Sequence, residues 1–460
     1  MAVDSWTRKL RSAVSSTLVS LRSTTAGSAH AKSKLVGILA FEIASLMSKL
    51  LHLWRSLSDA RLHHLRQHAI SLRGLRKIVS DDASFLLGLA RAELIESLRL
   101  VAAAVSGLAA RCADPGLRRF GICFMEFAES GSDPHRWAMS WKEMDAKAKR
   151  MDHHVSTTAA LYREMERLSE TEEAMRKQAH SGDGDDGAAL RQTLFCQEQR
   201  VKCLKASSLW GRSFDGITHL LARSAFTVLF RINHEFGHLS SSPCKLQVPP
   251  PIPRRHSCSA IVHPSADLPP ESFPSTTRKQ QELGFFEANA AALRPPADTL
   301  GAAAMSLHYA NIILLLDKMI KAPRLIPFDA KHGLYAMLPA SLRALLRARL
   351  RGVGRNPAAG DAALAGKWRT AMARIISWLS PLAHNTVRWQ ADRSLEQRWG
   401  VTVPRTDVLL LQTLWFAGRE KTEAAIAELL VGLNYVWRFE MELKTEGATS
   451  FSAEESHLRG

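Results

Sequence analysis

Apolar residues along this chain recur at steps of three and four in nearly every stretch and almost nowhere at steps of two, a pattern that predicts helices throughout. Over 35–57 the string LVGILAFEIASLMSKLLHLWRSL reads as one long helix. Glu42 and Lys49 interrupt it as a membrane span, which needs about 18 or more consecutive apolar residues. Further helical periods cover 59–79, 81–92 and 93–111. Trp137, Trp141, Met144, Ala148, Met151, Val155, Thr158, Tyr162 and Met165 alternate steps of four and three, the seam of a helix packed along one side. That seam predicts a helix from 134 to 180, a turn at SGDGDDG (181–187) and a second arm over 190–239, together a helical hairpin. With no sustained alternation and no Asn-Gly or Asp-Gly turn between apolar runs, the fold class is all-α, a multi-helix bundle.

The most apolar stretch, LGAAAMSLHYANIILLLDKMI at 300–320, predicts a core helix enclosed on every face. His308 and Asn311 are neighbours on it, and buried polar groups need partners. The string WLSPLAHNTVRWQADRSLE at 378–396 offers them, with His384 and Arg388 on one face and Asn385 on the next. The expectation is a polar core network of His308, Asn311, His384, Asn385 and Arg388 that fixes helix register or frames a ligand or partner pocket. Ser380-Pro381 reads as an N-cap followed by proline at the first helical position, hence a helix boundary. Helices over 406–417 and 419–444 complete the pattern, and the tail from Thr445 reads as frayed.

Nine of the chain's 19 prolines fall within 240–282 among serines and threonines, so this segment is expected to be a disordered linker, in part polyproline II. It divides the bundle into two lobes. The organisation is a basic Ser/Thr-rich extension at 1–34, a helical domain at 35–130, the hairpin at 134–239, the linker, a second helical domain at 283–444 and a tail at 445–460. The extension reads as an organelle transit peptide, a surface-binding amphipathic helix or a loosely docked arm.

Composition adds a charge of +17 over 460 residues, which points to acidic partners. Six cysteines without a CxxC pair fit free thiols in a reducing compartment, so the expected location is intracellular, in nucleus or cytoplasm or peripherally at the plasma membrane. From 321 to 374 eleven Lys and Arg face two acids, and Arg343, Arg347 and Arg351 repeat every fourth residue along one helix face. That face suits an acidic protein, an anionic lipid surface or, less well for want of interleaved aromatics, a nucleic acid. His234, Glu235 and His238 spell HExxH, able on a helix to bind zinc with the glutamate as base. Ser241 and Cys244 stand where the extended form of that motif has Gly and His, leaving zinc-dependent hydrolysis a remote reading. Ser257, after Arg254-Arg255-His256, resembles a basophilic kinase site. No GxSxG, CxxC or paired-acid pattern occurs, so no enzyme activity, cofactor, metal or small-molecule substrate is expected.

VGILAFEIASLMSKL (36–50) and SDPHRWAMSWKEMD (132–145) resemble the N-terminal conserved region of the plant phytosulfokine simulator family. LGAAAMSLHYANIILLLDKMI, LPASLRALLRARLR and WLSPLAHNTVRWQADRSLE resemble its C-terminal domain of unknown function. The resemblance implies a plant, non-enzymatic adaptor that regulates growth in connection with peptide-hormone signalling, with nuclear or membrane-associated members. It brings no catalytic residues. Some relatives carry an N-myristoylation signal, whereas Ala2 stands where that signal needs glycine.

Overall fold

The computed structural model of the protein describes residues 35–181, 187–237, 284–321, 328–351, 362–399 and 408–457. Among them the apolar periods fold as fifteen α-helices, and the extended contacts are two isolated bridges, Leu35 with Ser213 and Thr299 with Gly418. In chain order the helices are α1 Ala40–Ser56, α2 Asp59–His64, α3 Arg73–Ile78, α4 Ala83–Ala109, α5 Pro115–Arg118, α6 Phe120–Ser130, α7 Trp141–Ser181, α8 Gly187–Ser207 and α9 Phe214–Phe236. The second half supplies α10 Phe285–Ala292, α11 Ser306–Lys321, α12 Phe328–Met337, α13 Ala340–Leu350, α14 Ala362–Trp399 and α15 Arg419–His457.

Helix α1 buries Ile43, Met47, Leu50 and Trp54 against α4, α7 and α9. It lies within the one described helical stretch, Gly37–Ser56, long and apolar enough to cross a bilayer, and half of that window is packed inside the protein. Helix α7 runs antiparallel to α1 along the predicted seam, burying Met144, Met151 and Thr158. At one end of the pair Trp54 Nε1 donates to Asp145 Oδ1 at 2.8 Å; at the other the Phe41 and Tyr162 rings meet edge to face at 5.5 Å. Beside them Phe226 of α9 gathers the rings of Phe120, Phe124, Phe127 and Trp137. Phe286 of α10 stacks on Phe124 at 6.0 Å, so the second half of the chain begins against the first.

The halves meet again through α3 and α4. The N–H of Gly418 donates to the carbonyl of Ile78 at 2.7 Å, and that of Leu410 to Glu93 Oε2 at 2.7 Å. Gly74 of α3 lies directly against Trp378 and Leu382 of α14. One apolar cluster therefore runs unbroken from Val36 to Val436, so the two lobes share a core.

Local hydrogen bonds move several expected boundaries. The helix predicted from 134 begins at Trp141, because the Asp133 carboxylate accepts the N–H groups of Trp137 (3.0 Å) and Ala138 (2.8 Å) and holds the chain in a turn. The second hairpin arm is two helices, since Ser208 and Ser213 accept the N–H groups of Trp210 and Gly216 and restart the chain as α9. The core helix starts at Ser306 and not at 300, because the N–H groups of Leu300 and Gly301 donate to the carbonyls of Ala417 and Trp415. Ser380-Pro381 starts no new helix: the Ser380 hydroxyl donates to Asp317 Oδ2 at 3.1 Å, and α14 continues through Pro381 with Leu379, Leu382 and Ala383 buried around it. Around 408–418 the chain makes the short 3₁₀ turn Leu410–Gln412 in place of a helix, and α15 runs past Thr445 to His457.

Candidate functional site

Helices α11 and α14 pack side by side, as the pairing of 300–320 with 378–396 requires, yet the five polar residues expected between them do not meet there. Asn311, His384 and Arg388 are exposed. His308 Nε2 lies 2.8 Å from the carbonyl oxygen of Met337, and Asn385 Nδ2 donates to the carbonyl of Gln412 at 3.2 Å. The reason is that α11 has a wet side after all, marked by Leu307, Asn311 and Lys318, while Ile312, Ile313 and Leu316 fill the contact with α14.

The polar centre of this half lies one residue away, at Tyr309. This side chain is completely buried, and its hydroxyl donates to Glu423 Oε1 of α15 at 2.5 Å. Ser341 of α13 donates to the same oxygen at 2.7 Å, and Arg419 Nε at 2.9 Å. Arg419 Nη2 also donates to the Ser341 hydroxyl oxygen at 2.9 Å. Burial alone would raise the Glu423 pKa, but the hydrogen bonds from Tyr309, Arg419 and Ser341 outweigh it and hold the group below the ordinary carboxylate range. Burial first, and then the bond to Glu423, push the Tyr309 hydroxyl up to about 12. At neutral pH the tyrosine is a fixed donor and the glutamate a fixed acceptor, an arrangement that joins α11, α13 and α15 and is unsuited to passing a proton. A smaller joint ties α11 to α14, where Asp317 accepts from Lys321 Nζ at 2.9 Å as well as from Ser380.

Arg343, Arg347 and Arg351 are all exposed, while Leu342 and Leu346 on the other side of α13 are buried. Two neighbouring arginines are drawn inward by α15, Arg349 pairing with Glu428, and Arg369 with Glu440 at 3.0 Å. The outer row thus stands apart as a continuous basic face.

His234 is exposed on the last turn of α9, and Glu235 is engaged elsewhere, Arg66 Nη2 donating to its backbone oxygen at 2.9 Å and to Oε2 at 3.3 Å. His238, Ser257 and the segments 1–34 and 240–282 lie outside the described residues. Among the described residues no group of three or more His, Cys, Asp or Glu could hold a metal ion. Cys112, Cys123, Cys196 and Cys203 are free, and burial pushes the Cys112 thiol up to about 11.

Fold and surfaces together define an all-helical, two-lobed protein whose halves are locked to one another and which presents an arginine face. Residues 38–94 match a family model described as a domain of unknown function (DUF3475), and 299–388 match one described as a protein of unknown function (DUF668). Gly74 lies in the first and Trp378 and Leu382 in the second, so the two matched regions touch directly. The chain is similar to three proteins named PSK simulators. It is 26% identical to Arabidopsis thaliana Protein PSK SIMULATOR 1 over 424 residues, covering 88% of this chain and 56% of that protein. Protein PSK SIMULATOR 3 of the same plant is 26% identical over 87% of this chain and 56% of its own length, and Protein PSK SIMULATOR 2 is 23% identical over 77% and 50%. The chain thus spans little more than half the length of these relatives. No solved structure matches it.

Proposed function

We propose that the chain is a non-enzymatic adaptor in phytosulfokine-related growth regulation, and that it engages an acidic protein partner through the outer face of α13. The similarity to proteins named PSK simulators supports the regulatory role, and the observation that carries the mode of action is the exposed row Arg343, Arg347 and Arg351. Three guanidinium groups at four-residue steps form a ladder about 6 Å apart per step, and each offers a planar fork that matches a carboxylate. Leu342 and Leu346 anchor the opposite side, so the helix that carries the ladder is fixed before the partner arrives. An anionic membrane is the second reading, and at roughly 1 kcal/mol per arginine three residues give only a weak hold on it. The adaptor works inside the cell, in the nucleus or cytoplasm.

The triple variant Arg343→Glu, Arg347→Glu and Arg351→Glu is expected to keep the helical circular-dichroism spectrum and to lose partner affinity by about tenfold or more. Proximity labelling in plant cells with the wild-type and triple-variant chains checks this. Acidic proteins should drop out of the variant's set; an unchanged set sinks the adaptor reading of this face. Loss of vesicle binding alone would move the reading to the membrane.

A further inference from the structure

A half-open cleft of about 630 Å³ lies between α7 and the start of α9, and no Asp or Glu is among the residues lining it. Its permanent cations are Lys147, Lys149 and Arg150 from α7, Arg212 from the turn before α9, and Arg223 from α9. Lys147, Arg150 and His154 follow one another at steps of three and four, so they share the face of α7 that borders the cleft. Arg223 is held in place by donating to the carbonyl of Trp137 at 3.2 Å and pairing with Glu143 at 3.1 Å. Ser213 and Gly216 bring the first turn of α9 into the wall, where the positive end of a 23-residue helix adds to the field.

Two histidines in the wall respond to that field, and one of them, His154, is incompletely satisfied. His154 is only 6% exposed, and its Nδ1 has no hydrogen-bond partner. Burial first, then Arg212, Arg150 and His153, hold this imidazole below the usual histidine range. His219 is lowered likewise, by burial and then by Arg223 and Lys147, with Asp114 opposing. A second hollow shares His219 and Arg223 and extends the basic lining to Arg119 and Arg136, with Asp114 its one acid. Arg136 takes a left-handed backbone conformation at φ +51°, an uncommon one for a residue with a side chain.

So many cations around one concavity repel each other in the empty protein, and an anion bound among them removes that cost. One phosphate group satisfies two or three donors; five permanent cations on two helices and a turn call for several phosphates on one small scaffold. The volume suits such a molecule, since small-ligand sites run from about 300 to 1,000 Å³. We propose that this cleft binds a small polyol carrying several phosphate groups, either free in solution or as the headgroup of a phosphoinositide. The site is separate from the α13 face and stands or falls independently of it.

Calorimetric titration of the purified full chain tests the proposal, using inositol hexakisphosphate as the soluble probe, with sedimentation of phosphatidylcholine vesicles with and without phosphatidylinositol bisphosphate as the lipid arm. Saturable binding in either arm is expected, weakened tenfold or more in the double variant Lys147→Ala and Arg150→Ala and, separately, in Arg212→Gln. The triple glutamate variant of α13 should bind as the wild type does. Response in the soluble arm alone identifies a free ligand, and response in the vesicle arm identifies a headgroup. Absence of binding in both arms, or binding untouched by both cleft variants while their circular dichroism is native, overturns the site.

Discussion

Alanine in place of Gly74 is expected to destabilise the folded protein by about 2 to 3 kcal/mol, the upper part of the range for overpacking a filled core. A Cβ at this position would sit 2.3 Å from the carbonyl oxygen of Trp378 and 2.7 Å from Leu382 Cδ1. The leucine tip can turn aside, but the carbonyl belongs to the backbone of α14 and moves only if that 38-residue helix moves. Alanine's better helix propensity returns at most about 1 kcal/mol, so the clash decides the sign. Gly88 and Gly107 of α4 are the matched controls, because a Cβ on either meets nothing within 4 Å. Alanine there is expected to leave stability unchanged or raise it by up to about 1 kcal/mol. Urea unfolding of the three variants checks this, and a Gly74→Ala midpoint equal to that of the wild type would remove the argument. Gly74→Leu should go further and part α3 from α14, which is the contact between the two regions of unknown function.

Period-3.6 patterning makes the helices readable because each buries one stripe, and the seam of α7 shows how far this reaches: Met144, Met151 and Thr158, chosen on spacing, are buried, but so are His154, Leu161 and Glu164, which the seam leaves out. What spacing cannot register is a side chain that captures backbone N–H groups. Asp133, Ser208 and Ser213 each do so, and they account for the delayed start of α7 and the break between α8 and α9. Ser380 failed as a helix signal for the converse reason, since a tertiary partner, Asp317, took its hydroxyl.

The polar joint was half visible. Spacing within 300–320 points to His308 and Asn311 as the polar groups in need of partners, whereas Asn311 is exposed and the buried hydroxyl belongs to Tyr309, a ring that sits in sequence among apolar neighbours. Its acceptor, Glu423, lies 114 residues further on and looks in sequence like any glutamate in a helix's first turns. The cleft was hidden likewise: Lys147, Lys149 and Arg150 read as an ordinary solvated stretch until the fold sets Arg212 and Arg223 opposite them. Arg343, Arg347 and Arg351 could be read from spacing alone, because a surface row on one helix needs no tertiary information.

Removing Glu423 is expected to be the most damaging single polar change, at about 3 kcal/mol for Glu423→Ala. Its carboxylate is the shared acceptor of Tyr309, Ser341 and Arg419, and the tyrosine hydroxyl is left in a completely buried site with no charge to receive it. An orphaned buried donor costs roughly 1 to 3 kcal/mol, and the space vacated by the side chain adds to that. Tyr309→Phe should cost less, about 1 to 2 kcal/mol, because Glu423 keeps its other two donors. The two changes share one interaction, so the double variant should fall short of their sum. Glu423→Gln separates shape from charge, since it keeps an acceptor oxygen but loses the charge assistance that roughly doubles such bonds. The pH dependence follows from the depressed pKa of Glu423. The group's contribution is fully present above the ordinary carboxylate value of 4.5 and is lost as pH falls through the lower folded-state value. Urea midpoints measured from neutral pH downward should therefore fall more steeply below pH 4.5 for the wild type than for Glu423→Gln. Parallel curves for the two proteins would mean that the carboxylate is not what holds α11, α13 and α15 together.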